Sequence, residues 1–405
     1  MIDSYEEFIL PKSYFILFYR LDEVLQATTN LLTLNIIEVV IPIQCVTDSG
    51  RNHQYMSRKN AFSRSQSAHF PSEEKLPGQS MATKYFHSNS LRSIWQIANS
   101  LPPYLFIWYL MYLSLDISYW LTLGLAFLAS GFLIRVFIIC HDCVHGSFLK
   151  SRKLTNILGA ITAYFLFLPY KYWGISHIRH HATANDLDHR KDGDISILTV
   201  QEYIDAPFWN RVRYRVYRNP VMLFMVGPVL FFLFRFRIPF FDKRANQRNS
   251  VYLTNVAIAG TLIVMSLLIG FKTYVLIQGP IIIITTMVGV WLFYVQHQYE
   301  GASWERRDQW NYTDAALRGS SFYKLPKLFQ WFTGNIGFHH IHHLFPRIPN
   351  YYLEKCQKEH SKQWPVKPLT LGSSLKAFNY RLWDEEKGDF VGFAQVKKRR
   401  HAQVA

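Results

Sequence analysis

Sixteen histidines occur in 405 residues, and eleven of them lie between positions 141 and 343. They gather in three runs: His141-Asp142-Cys143-Val144-His145, His177-Ile178-Arg179-His180-His181 and His339-His340-Ile341-His342-His343. On a helix, side chains at i, i+3 and i+4 share one face. His141 and His145 make such a pair; His177, His180 and His181 make a triplet, as do His339, His342 and His343. His340 sits about 100° round the helix from His339 and points elsewhere. A lone histidine is usually a satisfied structural side chain, but three clusters at ligand spacing predict a metal site. Eight imidazoles are more than one tetrahedral zinc can use. Imidazole suits Zn, Cu, Fe and Ni, so ligand count arbitrates, and two metals with about four nitrogens each fit best. The chain lacks the His-Glu-x-x-His pattern of zinc proteases and the paired Glu-x-x-His of carboxylate di-iron bundles. An all-nitrogen pair of irons, suited to O2 chemistry, remains. His297, just past an apolar segment, is a ninth candidate. His189, in the acidic stretch Asp186–Asp194, is expected to be solvated, and so are the carboxylates around it.

The elements that must carry these clusters are apolar. From Leu101 to Cys140 the only charges are Asp116 and Arg135, and from Val251 to Gln296 the only one is Lys272. A membrane helix needs about 20 mostly apolar residues. Segments 101–117, 119–140, 252–270 and 275–296 qualify, in two pairs joined by very short links. The expected fold is an all-α integral membrane protein with two transmembrane helical hairpins (four spans), interfacial helices and a cytoplasmic His-rich cap. Two weaker stretches, 155–170 and 221–239, contain Pro169, Gly227, Pro228, Arg235 and Arg237, which are awkward at mid-membrane. Parity gives them a place. If all three clusters meet at one centre they lie on one side, so neither weak stretch crosses, and both lie in the interface or re-enter. Basic residues at 148–153 and 243–248 put that side in the cytoplasm by the positive-inside rule. The mean hydropathy of zero is thus an average of two materials. With 16% aromatics the chain is not intrinsically disordered. Four scattered cysteines exclude a disulfide scaffold.

The three boxes, in this order and interleaved with two hairpins, resemble those of the membrane fatty acid desaturases. The runs 295–300, 304–310, 319–326 and 334–351, the last reading from Gly334 through the third box to Tyr351, are similar to bacterial and cyanobacterial acyl-lipid desaturases of the Δ12 (omega-6) type. The resemblance covers about residues 90–375. It implies a di-iron centre that uses O2 to place a cis double bond in the long acyl chain of a membrane lipid, in the bacterial inner membrane. The implied iron ligands are His141, His145, His177, His180, His181, His339, His342 and His343, with His297 as the ninth outside the boxes.

Electrons must come from a separate ferredoxin-like or cytochrome b5-like donor, because Cys140 and Cys143 flank His141 and no haem-binding His-Pro-Gly-Gly is present. The net charge of +16 favours an acidic donor, although basic loops also suit anionic lipid. Residues 1–80 read as a disordered or mis-annotated extension with the working start at Met81 or Met56. Residues 81–385 form the desaturase domain and 386–405 a basic tail. That tail, ending Lys397-Lys398-Arg399-Arg400, suits solvent better than nucleic acid. Two rivals share parts of this reading. A di-iron hydroxylase of alkanes, sterols or carotenoids would insert oxygen, and a His-lined transporter would carry its histidines inside the spans. Regiochemistry, the acyl carrier and the oligomeric state stay open.

Overall fold

The computed structural model describes residues 79–190, 194–239 and 244–396. The expectations for the N-terminal extension and for the 397–400 basic run lie outside them. Ten helices matter for the site. They are α1 (Ser90–Ala98), α2 (Leu101–Ser114), α3 (Tyr119–His145), α4 (Arg152–Phe165), α5 (Tyr170–Thr183), α6 (Phe208–Tyr217), α7 (Ala245–Ile269), α8 (Phe271–His297), α9 (His339–Leu344) and α10 (Asn350–His360). Short strands tie the segments between and after them. β1 (Leu198–Thr199) pairs in parallel with β4 (Leu382–Asp384), which pairs antiparallel with β5 (Asp389–Val391). β2 (Phe322–Tyr323) pairs in parallel with β3 (Pro368–Leu369). Phe390 and Val391, inside the stretch expected to be a tail, are buried in the small sheet. Their apolar side chains gain more from that packing than from solvent.

Among the described residues three helices are long and apolar enough to cross a membrane: α3, α7 and α8. At 27 residues, α3 and α8 each run to about 40 Å, beyond a hydrocarbon core of about 30 Å. Each is thus longer than such a core by about two turns, and the last turns carry His141, His145 and His297. Gly146, in the left-handed conformation at φ 66°, stops α3 directly after its second histidine. Gly270, φ 89°, is the whole link between α7 and α8. The exposed side of α7 is apolar, with Leu253, Val256, Ile263 and Leu267 each more than half exposed. Such a face suits lipid rather than water, which disfavours a pair of hairpins buried inside a soluble protein.

The first arm of the first hairpin is shorter than expected. α2 ends at Ser114 after 14 residues, about 21 Å, and is preceded by α1 across a break at Asn99 and Ser100. α1 is amphipathic, with Leu91, Ile94 and Trp95 exposed and Ser93 and Gln96 buried. Of the weak stretches, 155–170 contributes most of α4, which exposes Leu154, Ile157 and Ile161 along one side as an interfacial helix does. The other stretch forms a broken helix, Met222–Arg237, bent by 63° from α6. Its arginines are not stranded: Arg235 donates to Tyr172 Oη at 2.7 Å and Arg237 to Asn255 Oδ1 at 3.0 Å and to the Phe167 carbonyl.

Several polar groups buried among the long helices are paired, as a membrane interior favours. Gln278 Oε1 accepts from Tyr104 Oη (3.2 Å) and Trp108 Nε1 (3.0 Å), tying α8 to α2. Ser130 Oγ donates to the Ile281 carbonyl at 3.2 Å. Arg135 stacks 4.0 Å over Trp331 and donates to Asn99 Oδ1. α3 packs against α2, α4 and α8 and is the central mast of the bundle.

Candidate metal centre

The nine histidines singled out in the sequence converge. They form two groups: His141, His145, His177, His181 and His342, and His180, His297, His339 and His343. Within each group the nearest ring nitrogens all lie within 4.8 Å of one another. The groups adjoin, since the rings of His181 and His343 stack at 4.0 Å. The helical triplets do not each serve one centre. His177 and His181 face the five-membered group while His180 faces the other. His342 likewise separates from His339 and His343. Adjacent positions on a helix diverge by about 100°, so each triplet reaches into both groups and braces the two together.

The hydrogen bonds behind these rings fix their protons. His180 Nδ1 donates to Asp194, a carboxylate that accepts only. His297 Nδ1 faces two acceptors, Asn185 Oδ1 at 3.2 Å and the Gly319 carbonyl at 3.3 Å. Asn185 is oriented by its own amide, which donates to the Ser303 carbonyl at 3.1 Å. Both Nδ1 atoms therefore carry the proton, and both Nε2 atoms present lone pairs. Yet these two Nε2 atoms sit 3.0 Å apart. Two lone pairs at that separation repel unless a cation lies against both. His339 Nε2 is also 3.0 Å from His297 Nε2. In the other group, the Nε2 atoms of His145 and His177 are 2.9 Å apart and those of His342 and His181 are 3.1 Å apart.

Burial, and after it the neighbouring imidazoles, hold His177, His181, His339, His342 and His343 well below the usual imidazole range. They are neutral at pH 7, the form that binds metal. An all-imidazole donor set whose ring nitrogens converge fits metal ions of the iron class.

A second layer holds the ligating candidates. Asp142 receives His141 Nδ1 at 3.2 Å on one oxygen and the Asn350 backbone and side-chain amides at 2.7 and 2.8 Å on the other. It thus ties α3 to the start of α10. Trp173 stacks on His177 at 5.0 Å, Phe293 packs 5.0 Å from His180, and Tyr312 donates to the His343 carbonyl. His340 points away from both groups, as expected, and its Nε2 lies 2.9 Å from Gln357 Oε1 on α10.

His189 joins neither group. Its side chain is 55% exposed and Nδ1 donates to Asp186 at 2.8 Å. The expectation of solvated carboxylates around it needs correcting. Asp186 is fully buried between His189, Arg307 and the Asp188 amide, and Asp194 is buried against His180. Sequence reading missed Asp194, Asn185 and Asp142 because no spacing links a carboxylate to a ring 14 residues away. Asp142 alone carried a signal, lying inside the first box.

A family model described as fatty acid desaturase matches residues 118–374. The chain belongs to the fatty acid desaturase family. A Bacillus subtilis (strain 168) fatty acid desaturase is 47% identical over 305 residues, 75% of this chain and 87% of that protein. An sn-1 oleoyl-lipid 12-desaturase of the cyanobacterium Picosynechococcus is 28% identical over 305 residues, 71% of this chain and 84% of its own. A chloroplastic omega-6 fatty acid desaturase of Arabidopsis thaliana is 27% identical over 282 residues, covering 65% and 58%. This desaturase is accordingly an oxidoreductase of lipid metabolism with membrane helices. The matched segment begins at the start of α3 and contains every histidine of both groups.

Proposed function

We propose that this desaturase introduces a cis double bond into a long acyl chain carried on a membrane lipid, using two irons. His141, His145, His177, His181 and His342 would hold one iron, and His180, His297, His339 and His343 the other. The observation that carries this reading is the pair of adjoining imidazole groups whose proton positions leave lone pairs facing one another. When bound, the metal pair supplies activation of O2 and removal of two hydrogens from adjacent methylenes, a task no acid or base can do on an unactivated chain. The protein's own part is to fix ring orientation through Asp194, Asp142, Asn185 and the Gly319 carbonyl. It also packs Trp173 and Phe293 against the imidazoles, so the reacting atoms are kept from water.

The double bond is placed at Δ12 in this reading. Its support is the cyanobacterial oleoyl-lipid 12-desaturase and the chloroplastic omega-6 desaturase among the relatives, while the relative at 47% identity is known as a fatty acid desaturase without a position. Expression in a host lacking polyunsaturated lipids, with analysis of fatty acid methyl esters, tests it. An 18:2(9,12) product is the expected result. A double bond elsewhere corrects the position, and a hydroxylated lipid overturns desaturation.

We further propose two hairpins and four spans in the bacterial inner membrane, with α1 and α2 sharing the first arm, and the metal centre in the cytoplasm. Basic flanks at 148–153 and the convergence of all boxes support this. Reporter fusions near Lys171 and after His343 are expected to read cytoplasmic together. A periplasmic signal at Lys171 would sink the arrangement.

A further inference from the structure

Forming one double bond with O2 takes two electrons more than the acyl chain provides: –CH2–CH2– + O2 + 2e⁻ + 2H⁺ gives –CH=CH– + 2H2O. Among the described residues the three free cysteines are buried apart from any cluster of sulfur ligands, so the electrons enter from outside. We infer that the outer face of α10 is the docking surface for an acidic one-electron carrier protein. This rests on the desaturase reading above and adds the partner's place of contact.

Three observations lead to it. The first is position. α10 packs directly behind α9, which bears the third box. Its Asn350 is bonded to Asp142, which holds His141 of the five-membered group. Its Gln357 is bonded to His340, the chain neighbour of His339 in the four-membered group. One helix thus has a hydrogen-bonded route into each half of the centre.

The second is charge. Lys84, Lys355 and Lys358 stand on this face with side chains 54–71% exposed. They share two carboxylates, Glu354 and Glu359, and the chain leaving the helix adds exposed Lys362 and Lys367. Exposed ion pairs of this kind are weak, about 0–1 kcal/mol, and the surplus is positive. A basic face beside a redox centre steers an acidic partner.

The third is what separates this face from a lipid-binding one. Along α10 itself and on to residue 370 no large hydrophobic side chain is among the exposed ones; the exposed Leu328, Phe329 and Trp331 lie on the separate segment that precedes α9. The other basic helix, α6, sets Arg213 and Arg215 beside Phe208 and Trp209, which are 62% and 71% exposed. Aromatic and basic residues together mark the membrane interface, and α10 has only the basic half.

The test uses the full-length enzyme in nanodiscs with a plant-type ferredoxin, its reductase and NADPH. The double variant Lys355→Glu/Lys358→Glu is expected to raise the KM for ferredoxin about tenfold at low salt, with kcat little changed. Arg213→Glu on α6 should leave that KM alone. A single turnover, run by reducing the protein with dithionite before an O2 pulse, should yield equal product from wild type and the α10 variant. If wild type makes no product in the single turnover, the desaturase reading itself fails. If it does, and the α10 variant keeps the wild-type KM, the docking inference is wrong. Weakened binding of that variant to phosphatidylglycerol vesicles with unchanged KM would assign the face to lipid and overturn the inference.

Discussion

His297→Ala is expected to abolish desaturation, with a fall in rate of about 100-fold or more, and to lower the iron content from two per chain to about one. The four-membered group has no spare nitrogen. Its other members are His180, His339 and His343. Changes merely behind a ligand cost about 10–100-fold in affinity or activity, and loss of the ligand itself should cost more. His297 is also the nitrogen that His180 and His339 both face at 3.0 Å. Its removal leaves a gap at the centre of the group rather than at its rim. The control is His340→Gln, one residue from His339 and equally buried but turned toward Gln357. It should keep both irons. Iron analysis with Mössbauer spectroscopy reads the result independently of activity. Two irons retained in His297→Ala would remove His297 from the ligand set.

Asp194→Asn should weaken the same half of the centre without removing a ligand. The carboxylate holds the proton on His180 Nδ1 and makes the ring a better donor through Nε2. A neutral amide makes a weaker bond and can turn its NH2 toward the ring, which would favour the other tautomer and put a proton where the lone pair belongs. The expected outcome is a 10–100-fold loss of affinity for one of two irons, measured by chelator competition, with the second iron unchanged. Asp188→Asn, an exposed neighbour paired with Arg306, should leave both irons in place. Equal loss of both irons in Asp194→Asn would mean that the residue only supports the fold.

Much of this was legible in the order of residues. Helical periodicity is local, so the boxes at i, i+3 and i+4 pointed to a metal site from the chain alone, and the near-absence of charge marked four apolar segments, three of which lie on helices long and apolar enough to cross a membrane. Counting nitrogens reached a pair of metals. The orientation of His340 followed from the same 100° step. Charge bias and parity assigned the weak stretches, of which α4 is amphipathic and Met222–Arg237 is broken.

What the sequence could not say concerns groups brought together from afar. Spacing assigns the triplets to faces, but whether His180 parts from His177 and His181 depends on where α8 ends and on how α9 packs against α5. His297 was one histidine at a helix end until the fold set it against His180, His339 and His343. Asp194 read as one acid in a solvated run, because its burial comes from tertiary packing and no local pattern encodes it. The end of α2 differs for a related reason: the apolar stretch continues past Ser114, but the helix does not, because residues 115–117 form the turn. The chain by itself determined which atoms could bind metal and that they stand at a membrane. Only the tertiary structure decided how they divide into two sites and which hydrogen bonds fix their protons, since those depend on which segments the fold brings into contact.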